Sequence, residues 1–469
     1  MRRLSVSFLQ LAASSIAGQA IGFAVLAVVA RRIGPDNLGA YAFASSLIVY
    51  FALPLSGIDM LAIRDIARDR DNARHITGAV LPVLVLYAIT AGATAYVLAP
   101  LVAPTPVEAT MLRILAVSTL VTTVTLDWVL QGMRVFNVVA IARLLGQVLY
   151  GIAAVFLITS GVQGAYRYAW LNVFGLFVTL LVTWAYTTRT IGWPSIQINL
   201  KSAVAVMRRS RPFAASIVMI QLYYTADFVL LGLLATSADV GQYLVAYKLP
   251  LVVVGLASLW ITVFYPHAAT EPRDALRRQV GTFTTMTLVL VLPLCAGSFV
   301  LGTPFLTTLF GSQYQPAGIY FKLLMVAVAL GAVDANIGQI LLATGRERIF
   351  AVGTGLGAIT NVVLNIILIP SLGPEGSAIA TIVTEALVLA FMTIVLAAAI
   401  GVPRLKWVRV AGAAVSSLLM VLAITFVFAT WPVVPRIVWG VLVYLIFAMA
   451  TRTLRTTDYK RLRREAMSS

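Results

Sequence analysis

The chain holds a single cysteine, Cys295, which leaves no basis for a disulfide or a cysteine metal site. It holds two histidines, His75 and His267, both in segments read as cytoplasmic loops, so no histidine-centred catalytic set can form on the opposite face. No G-x-x-x-x-G-K-[ST] phosphate loop occurs, which argues against ATP hydrolysis by this chain. Charged residues are only 11% of the total. The net charge of +17 is scattered. No basic stretch is long enough to make a nucleic-acid-binding domain. Catalytic residues, cysteine metal sites and cofactors are therefore expected to be absent, and the chain is not expected to be an enzyme.

What is abundant is apolar sequence. The chain is 60% hydrophobic, with a mean hydropathy of +0.95. Fourteen apolar runs follow one another: 9–31, 39–62, 77–99, 109–131, 139–160, 165–187, 213–235, 241–265, 280–302, 317–343, 349–369, 375–400, 409–430 and 435–451. About twenty apolar residues is the length a helix needs to cross the hydrocarbon core of a bilayer. Arg2 and Arg3 before the first run mimic a signal peptide. That run is too long for a signal core and lacks an A-x-A site, so it is read as the first span. Of the 34 cations, 27 fall in alternate loops and the two termini. The positive-inside rule makes that face cytoplasmic, with both termini inside. The expected fold is an all-α multi-pass membrane protein of about fourteen transmembrane helices.

Three short matches suggest two copies of a six-helix unit. Leu38-Gly39-Ala40-Tyr41 pairs with Val240-Gly241-Gln242-Tyr243, Gly132-Met133-Arg134 with Gly345-Arg346-Glu347, and Gly161 through Ala165 with Gly373 through Ser377. An even number of helices per copy makes the copies parallel. The expected organisation is an N-lobe over 1–187, a cytoplasmic linker over 188–212 forming a surface helix, a C-lobe over 213–400, and two further helices with a basic tail over 401–469. Two lobes across a central cavity suit alternating access. The outer loops are too short to hold a catalytic module.

Charges inside spans are costly and usually face a cavity or a partner. Seven cations lie outside the cytoplasmic set: Arg31, Arg32, Arg113, Arg167, Lys248, Lys322 and Arg436. Lys248 is deepest, Lys322 intermediate, and the arginines sit near outer helix ends, where they can snorkel. The double arginine at 31–32 opposes the topology and so suggests a role in receiving an anion. The deep anions are Asp227, Asp334 and Glu385. Asp227 and Lys248 suit either a binding pocket or a structural pair. Asn361 and Asn365 stand one turn apart, and with Asp227 and Thr384 or Glu385 they offer only oxygen ligands, which suit a hard cation; a polar helix seam is the alternative. Prolines 54, 82, 250 and 293 fall inside spans and mark places to bend.

Several of these segments resemble one family. Arg31-Arg32-Ile33-Gly34-Pro35-Asp36-Asn37-Leu38-Gly39-Ala40-Tyr41 is similar to the helix 1–2 turn of prokaryotic polysaccharide flippases. Asp127 through Met133, Gly241 through Leu249, Phe310-Gly311 with Tyr314, and Gly345 through Ala378 resemble further parts of it. The resemblance covers about residues 1–400 and points to the O-antigen-type flippases of the multidrug/oligosaccharidyl-lipid/polysaccharide exporter superfamily. It implies translocation of a polyprenyl-diphosphate-linked oligosaccharide to the outer leaflet of a prokaryotic cell membrane. The partners it implies are that lipid-linked sugar, membrane lipids and other polysaccharide-assembly proteins. It further implies that Arg31, Arg32, Arg167, Lys248 and Lys322 face the diphosphate. Asp227, Asn361, Asn365 and Thr384 fall on the helices that carry a sodium site in lipid II flippases. An asparagine stands where that site has an aspartate on helix 11, so coupling to Na+ or, through Glu385, to H+ stays open, as does the role of Asp334. Two other classes compete. A multidrug/cation antiporter calls for an acidic, aromatic-lined cavity, and a membrane glycosyltransferase or polymerase for a sizeable outer loop.

Overall fold

The computed structural model describes residues 2–53, 56–196, 199–268 and 272–453, with side chains outside 2–17, 56, 200, 202, 212–213, 215–216 and 254–268. Pro54, the His267 side chain and the basic tail beyond 453 lie outside the described residues. The described residues form fourteen α-helices and no strand. Ten helices are long and apolar enough to cross a membrane, and the α1–α2 pair makes an eleventh candidate if it counts as one bent span.

The helices do not match the apolar runs one to one, and the mismatches have local causes. Helix α1 (Arg2–Ala52) carries the first run and most of the second across Gly34, whose φ of 82° breaks the helical path just before Pro35. Asn37 bridges the break by donating to the Ile33 carbonyl at 2.7 Å. The second run ends in α2 (Ser56–Arg68). Helix α3 (Ala73–Val102) follows. The fourth run is split into α4 (Pro106–Val124) and α5 (Asp127–Gly132). Thr122, Thr123 and Thr125 each bond back to a carbonyl four residues earlier, and Trp184 Nε1 donates to the Val124 carbonyl at 2.7 Å. Back-bonding hydroxyls bend a helix, and the indole takes up a carbonyl at its end. Helices α6 (Phe136–Leu157) and α7 (Gly161–Ile191) are single spans.

Helix α8 (Leu200–Leu234) joins the expected linker helix to the seventh run without a break. Helices α9 (Ser237–Ala268), α10 (Arg273–Phe310) and α11 (Ala317–Ala343) follow. Helix α12 (Glu347–Ile400) carries two runs folded at Gly373, φ 56°, next to Pro374. Gly353 meets Met392 and Phe391, and Gly376 meets Leu368, so the two arms of α12 lie antiparallel. Helix α13 (Trp407–Leu422) passes into a π-helical turn, Ala423–Val427, before α14 (Val433–Ala450). Pro82, Pro250 and Pro293 sit inside continuous helices.

The chain forms two compact units, Met1–Gly241 and Gln242–Ser469. This division falls after α8, which packs on α2 and α1 and is tied to α2 by Arg209 and Asp65 at 2.7 Å. In the first unit, Ile58, Leu61, Ile66, Leu84, Leu126 and Trp128 form a buried cluster across α2, α3 and α5. In the second, Leu301, Met420, Ile424 and Tyr444 join α10, α13 and α14, and the Tyr444 hydroxyl donates to the Val289 carbonyl.

The internal duplication is written in backbone detail. After α5, Val135 N bonds Leu130 O and Arg134 N bonds Gln131 O; after α11, Arg346 N bonds Leu341 O and Gly345 N bonds Leu342 O. Arg134 (φ 63°) and Gly345 (φ 73°) occupy the same left-handed position of one helix-ending motif. The structural equivalent of Gly345 is therefore Arg134, not Gly132. Helix α7 ends on Gly192 (φ 76°) and α12 on Gly401 (φ 84°). Arg74 Nε then donates to Trp193 O at 2.8 Å, and Arg277 Nε to Val402 O at 2.5 Å. Gly78 and Gly281 admit the following backbone, at Ser195 and Arg404, so closely that neither could carry a Cβ without displacing it. The same clasp is thus built once in each unit.

Candidate functional site

In the first unit the expected cations meet an end of helix α6. The last carbonyls of a helix lack intrahelical donors. Arg32 donates from one guanidinium nitrogen to Val155 O at 2.6 Å and Ile158 O at 3.0 Å. Arg167 donates to Leu157 O at 3.2 Å. Both side chains are exposed, and both offer positive charge to the negative end of the α6 dipole. Arg31 is exposed at the adjacent position of α1. Arg113 lies over the Tyr96 ring, 5.3 Å from its centre, a cation–π arrangement.

Close to this end of the unit is a contact that the sequence reading missed. Thr105 caps α4 and accepts from Glu108 N, while Glu108 accepts from Thr105 N, a reciprocal capping box. The other oxygen of Glu108, which is fully buried, accepts from the Ser237 hydroxyl at 2.7 Å. Thr105-Pro106-Val107-Glu108 spells such a box, with proline at the first helical position, and was the available signal. Beside it Gly39 packs on the start of α9. A Cβ there would stand 2.7 Å from the Ser237 carbonyl carbon and 2.8 Å from Gly241 N. The repeat-related glycines 39 and 241 are in direct contact.

Asp227 is buried in α8. Two residues before it, Thr225 donates to the Tyr50 hydroxyl of α1 at 3.0 Å. Near the cation-rich face, Asp127 pairs with Arg143, and Asp65 pairs with both Arg64 and Arg209.

In the second unit, Lys248 is exposed on α9, and none of the described residues of that unit accepts a hydrogen bond from it. It lies eleven residues into the helix, about 16 Å along the axis, roughly half of a 30 Å hydrocarbon core. Lys322 is half-buried, with its stem 3.7 Å from the position of a Cβ on Gly302 of α10. Arg436 donates to Ile424 O at 3.3 Å, inside the π-helical turn.

The antiparallel arms of α12 bring three expected polar residues to one level. Gly353 opposite Met392 and Gly376 opposite Leu368 set a register that puts Thr384 opposite Asn361. Asn365 Nδ2 donates to Asn361 O at 2.9 Å and to Asn361 Oδ1 at 3.1 Å. All three residues are buried, and Thr384 Oγ1 has no partner among the described residues. The Glu385 carboxylate faces Gly331 of α11, where an added Cβ would stand 2.7 Å from Oε2. Asp334 lies one turn further along α11, half-buried, with Oδ1 unpartnered among the described residues. Asn336 donates to Thr287 of α10 at 2.7 Å. The expected oxygen ligands are therefore divided: Asn361, Asn365, Thr384, Glu385 and Asp334 are in the second unit, and Asp227 is in the first. Among the described residues no group of three His, Cys, Asp or Glu is placed to hold a metal ion.

Comparison with known proteins gives this arrangement a family. The chain is 23% identical over 301 residues to a protein of Haloferax volcanii named as the probable low-salt glycan biosynthesis flippase Agl15, over 62% of this chain and 63% of that protein. The chain thus spans somewhat less than two thirds of that relative's length. Its fold matches that of the lipid II flippase MurJ in an inward closed conformation, with a TM-score of 0.76 at 14% identity over 97% of this chain and 99% of the other. An inward-facing multidrug resistance MATE family transporter of the MOP superfamily matches with a TM-score of 0.66 at 15% identity, over 81% and 95%. The family model described as "Polysaccharide biosynthesis protein" matches residues 6–270, more than half of the sequence, and the chain belongs to that family.

Proposed function

We propose that this protein is a flippase that moves a polyprenyl-diphosphate-linked oligosaccharide from the cytoplasmic to the outer leaflet of a prokaryotic cell membrane by alternating access. It supplies cell-surface glycan assembly and works beside the other proteins of that assembly. The observation that carries the reading is Lys248. A cation exposed half-way along an apolar span is unfavourable unless it serves an anion or water. A diphosphate headgroup crossing the low-dielectric layer needs that compensation, while its lipid tail stays in the bilayer. The duplicated six-helix organisation and membership of the polysaccharide biosynthesis family support the same reading. Lys248, Lys322 and Arg31 are the cations assigned to the headgroup. Arg32 and Arg167 hold the end of α6.

Coupling is assigned to Na+ or H+ at the oxygen-rich helices, through Asp227, Asn361, Asn365, Thr384, Glu385 and Asp334. The test compares Lys248→Gln with Arg436→Gln in vesicles holding the folded protein. A charge-assisted contact contributes about 1.5–3 kcal/mol, so losing it should slow headgroup movement by roughly one to two orders of magnitude. Arg436, which serves one backbone carbonyl, should change it little. Equal effects remove Lys248 from the headgroup path.

A further inference from the structure

Helices α6 and α7 present continuous apolar stripes to the outside of the first unit. On α7, Trp170, Phe174, Phe177 and Leu181 recur at helical spacing and are all 44–52% exposed. On α6, Ile152 and Phe156 continue such a stripe, with Phe156 79% exposed. In a spanning protein such stripes meet acyl chains. Arg167 belongs to the α7 stripe, one turn beyond Trp170, at the membrane face opposite the cation-rich loops. A tryptophan followed by an arginine at the end of a lipid-facing stripe marks the headgroup level.

Three observations say that these guanidiniums are more than caps. First, neither Arg32 nor Arg167 makes an ion pair among the described residues, and each uses one guanidinium nitrogen for its backbone bonds. Both side chains are exposed, and at the headgroup level of a bilayer lipid phosphates are the available acceptors. Second, two full positive charges outweigh the roughly half-unit negative charge of a helix C-terminus, so the spot keeps a net positive charge. Third, the duplicated turn does without them. The repeat offsets place Leu234 opposite Arg32 and Ile379 opposite Arg167, and the α12 turn at Gly373 still folds. The turn itself therefore does not require guanidinium.

We propose that Arg32 and Arg167, seated on the C-terminus of α6, bind the phosphate of an anionic phospholipid in the leaflet opposite the cation-rich loops, with its acyl chains along the α6–α7 stripes. The planar guanidinium suits bidentate phosphate contact. This inference is independent of the flippase reading, because it concerns the lipid-facing perimeter and an annular lipid.

The test is native mass spectrometry of the full chain titrated with phosphatidylglycerol and, separately, phosphatidylcholine. The double variant Arg32→Gln/Arg167→Gln should weaken binding of the first phosphatidylglycerol by about tenfold, and Arg167→Gln alone, which leaves both Arg32 bonds, by a smaller factor. Phosphatidylcholine binding should not change. A control, Arg346→Gln on the cation-rich side, should retain the site. Unchanged phosphatidylglycerol binding in folded Arg167→Gln and double variant overturns the proposal. So does an equal loss of both lipids, and so does displacement of phosphatidylglycerol by a polyprenyl diphosphate at equimolar concentration, which would make the spot a substrate site.

Discussion

The contact between Gly39 and the start of α9 makes a quantitative forecast. Both Gly39 and Gly355 are helical glycines, in α1 and α12. Replacing a mid-helix glycine by alanine gains up to about 1 kcal/mol from propensity alone. At Gly355 an added Cβ meets nothing within 4 Å, so the gain is retained. At Gly39 the same atom would stand 2.7 Å from the Ser237 carbonyl carbon and 2.8 Å from Gly241 N. The Ser237 carbonyl oxygen stands nearer still, and carbon atoms pack best at about 3.5–4.0 Å, so the first turn of α9 would have to retreat by more than ~1 Å. The obstacle is backbone on both counts and cannot turn aside as a side chain does. Overpacking of this kind costs about 1–3 kcal/mol. The clash therefore outweighs the propensity gain. Gly39→Ala should be less stable than the parent, and Gly355→Ala equal or more stable, with a gap of about 1–3 kcal/mol between them. Thermal unfolding of both variants in one detergent, followed by tryptophan fluorescence, measures the gap. Indistinguishable midpoints would refute the close approach of α1 to α9.

Three further outcomes follow from named contacts. Glu108→Ala strands Thr105 N and the Ser237 hydroxyl and should cost about 1–3 kcal/mol in the same unfolding assay, whereas Glu108→Gln, which keeps one acceptor, should cost less. Arg277→Ala and Arg74→Ala each remove one clasp and should raise protease cleavage in the segment after α12 and after α7 respectively; cleavage at the other copy, or at neither, would contradict the duplication. Asp227→Asn should alter the dependence of transport on Na+ or H+, and unchanged dependence would leave Asp227 a structural residue.

How much was legible beforehand depends on the kind of signal. Long apolar runs and alternating cations are composition, and they carried the helical membrane fold. The turn at 32–38 was marked as a loop, but one glycine at φ 82° before Pro35 is enough to redirect the helix. The break after Val124 was only half visible: its threonines are in the sequence, but the carbonyl at its end is taken by Trp184, sixty residues on. The repeat was visible through glycines, yet its register at α5 was misread. Position 134 carries an arginine in the left-handed conformation, and nothing in the sequence distinguishes that from an ordinary helix end. Among site residues, Asn361, Asn365 and Thr384 lie at one level because the antiparallel arms of α12 fix their register. The bonds of Arg32 and Arg167 to the end of α6 were not foreseen, because charge alone does not say which carbonyl lies within reach. Glu108 was passed over because a buried acid at a helix start resembles an ordinary cap.

Under the proposed function, cations set inside the spans carry an anionic lipid-linked sugar across the bilayer. The most direct measurement is transbilayer movement of a fluorescent polyprenyl-diphosphate oligosaccharide in vesicles holding the purified protein without ATP. The parent should move the probe, and folded Lys248→Gln should not. Absence of movement for every lipid-linked sugar tried, together with export of cationic dyes, would contradict it.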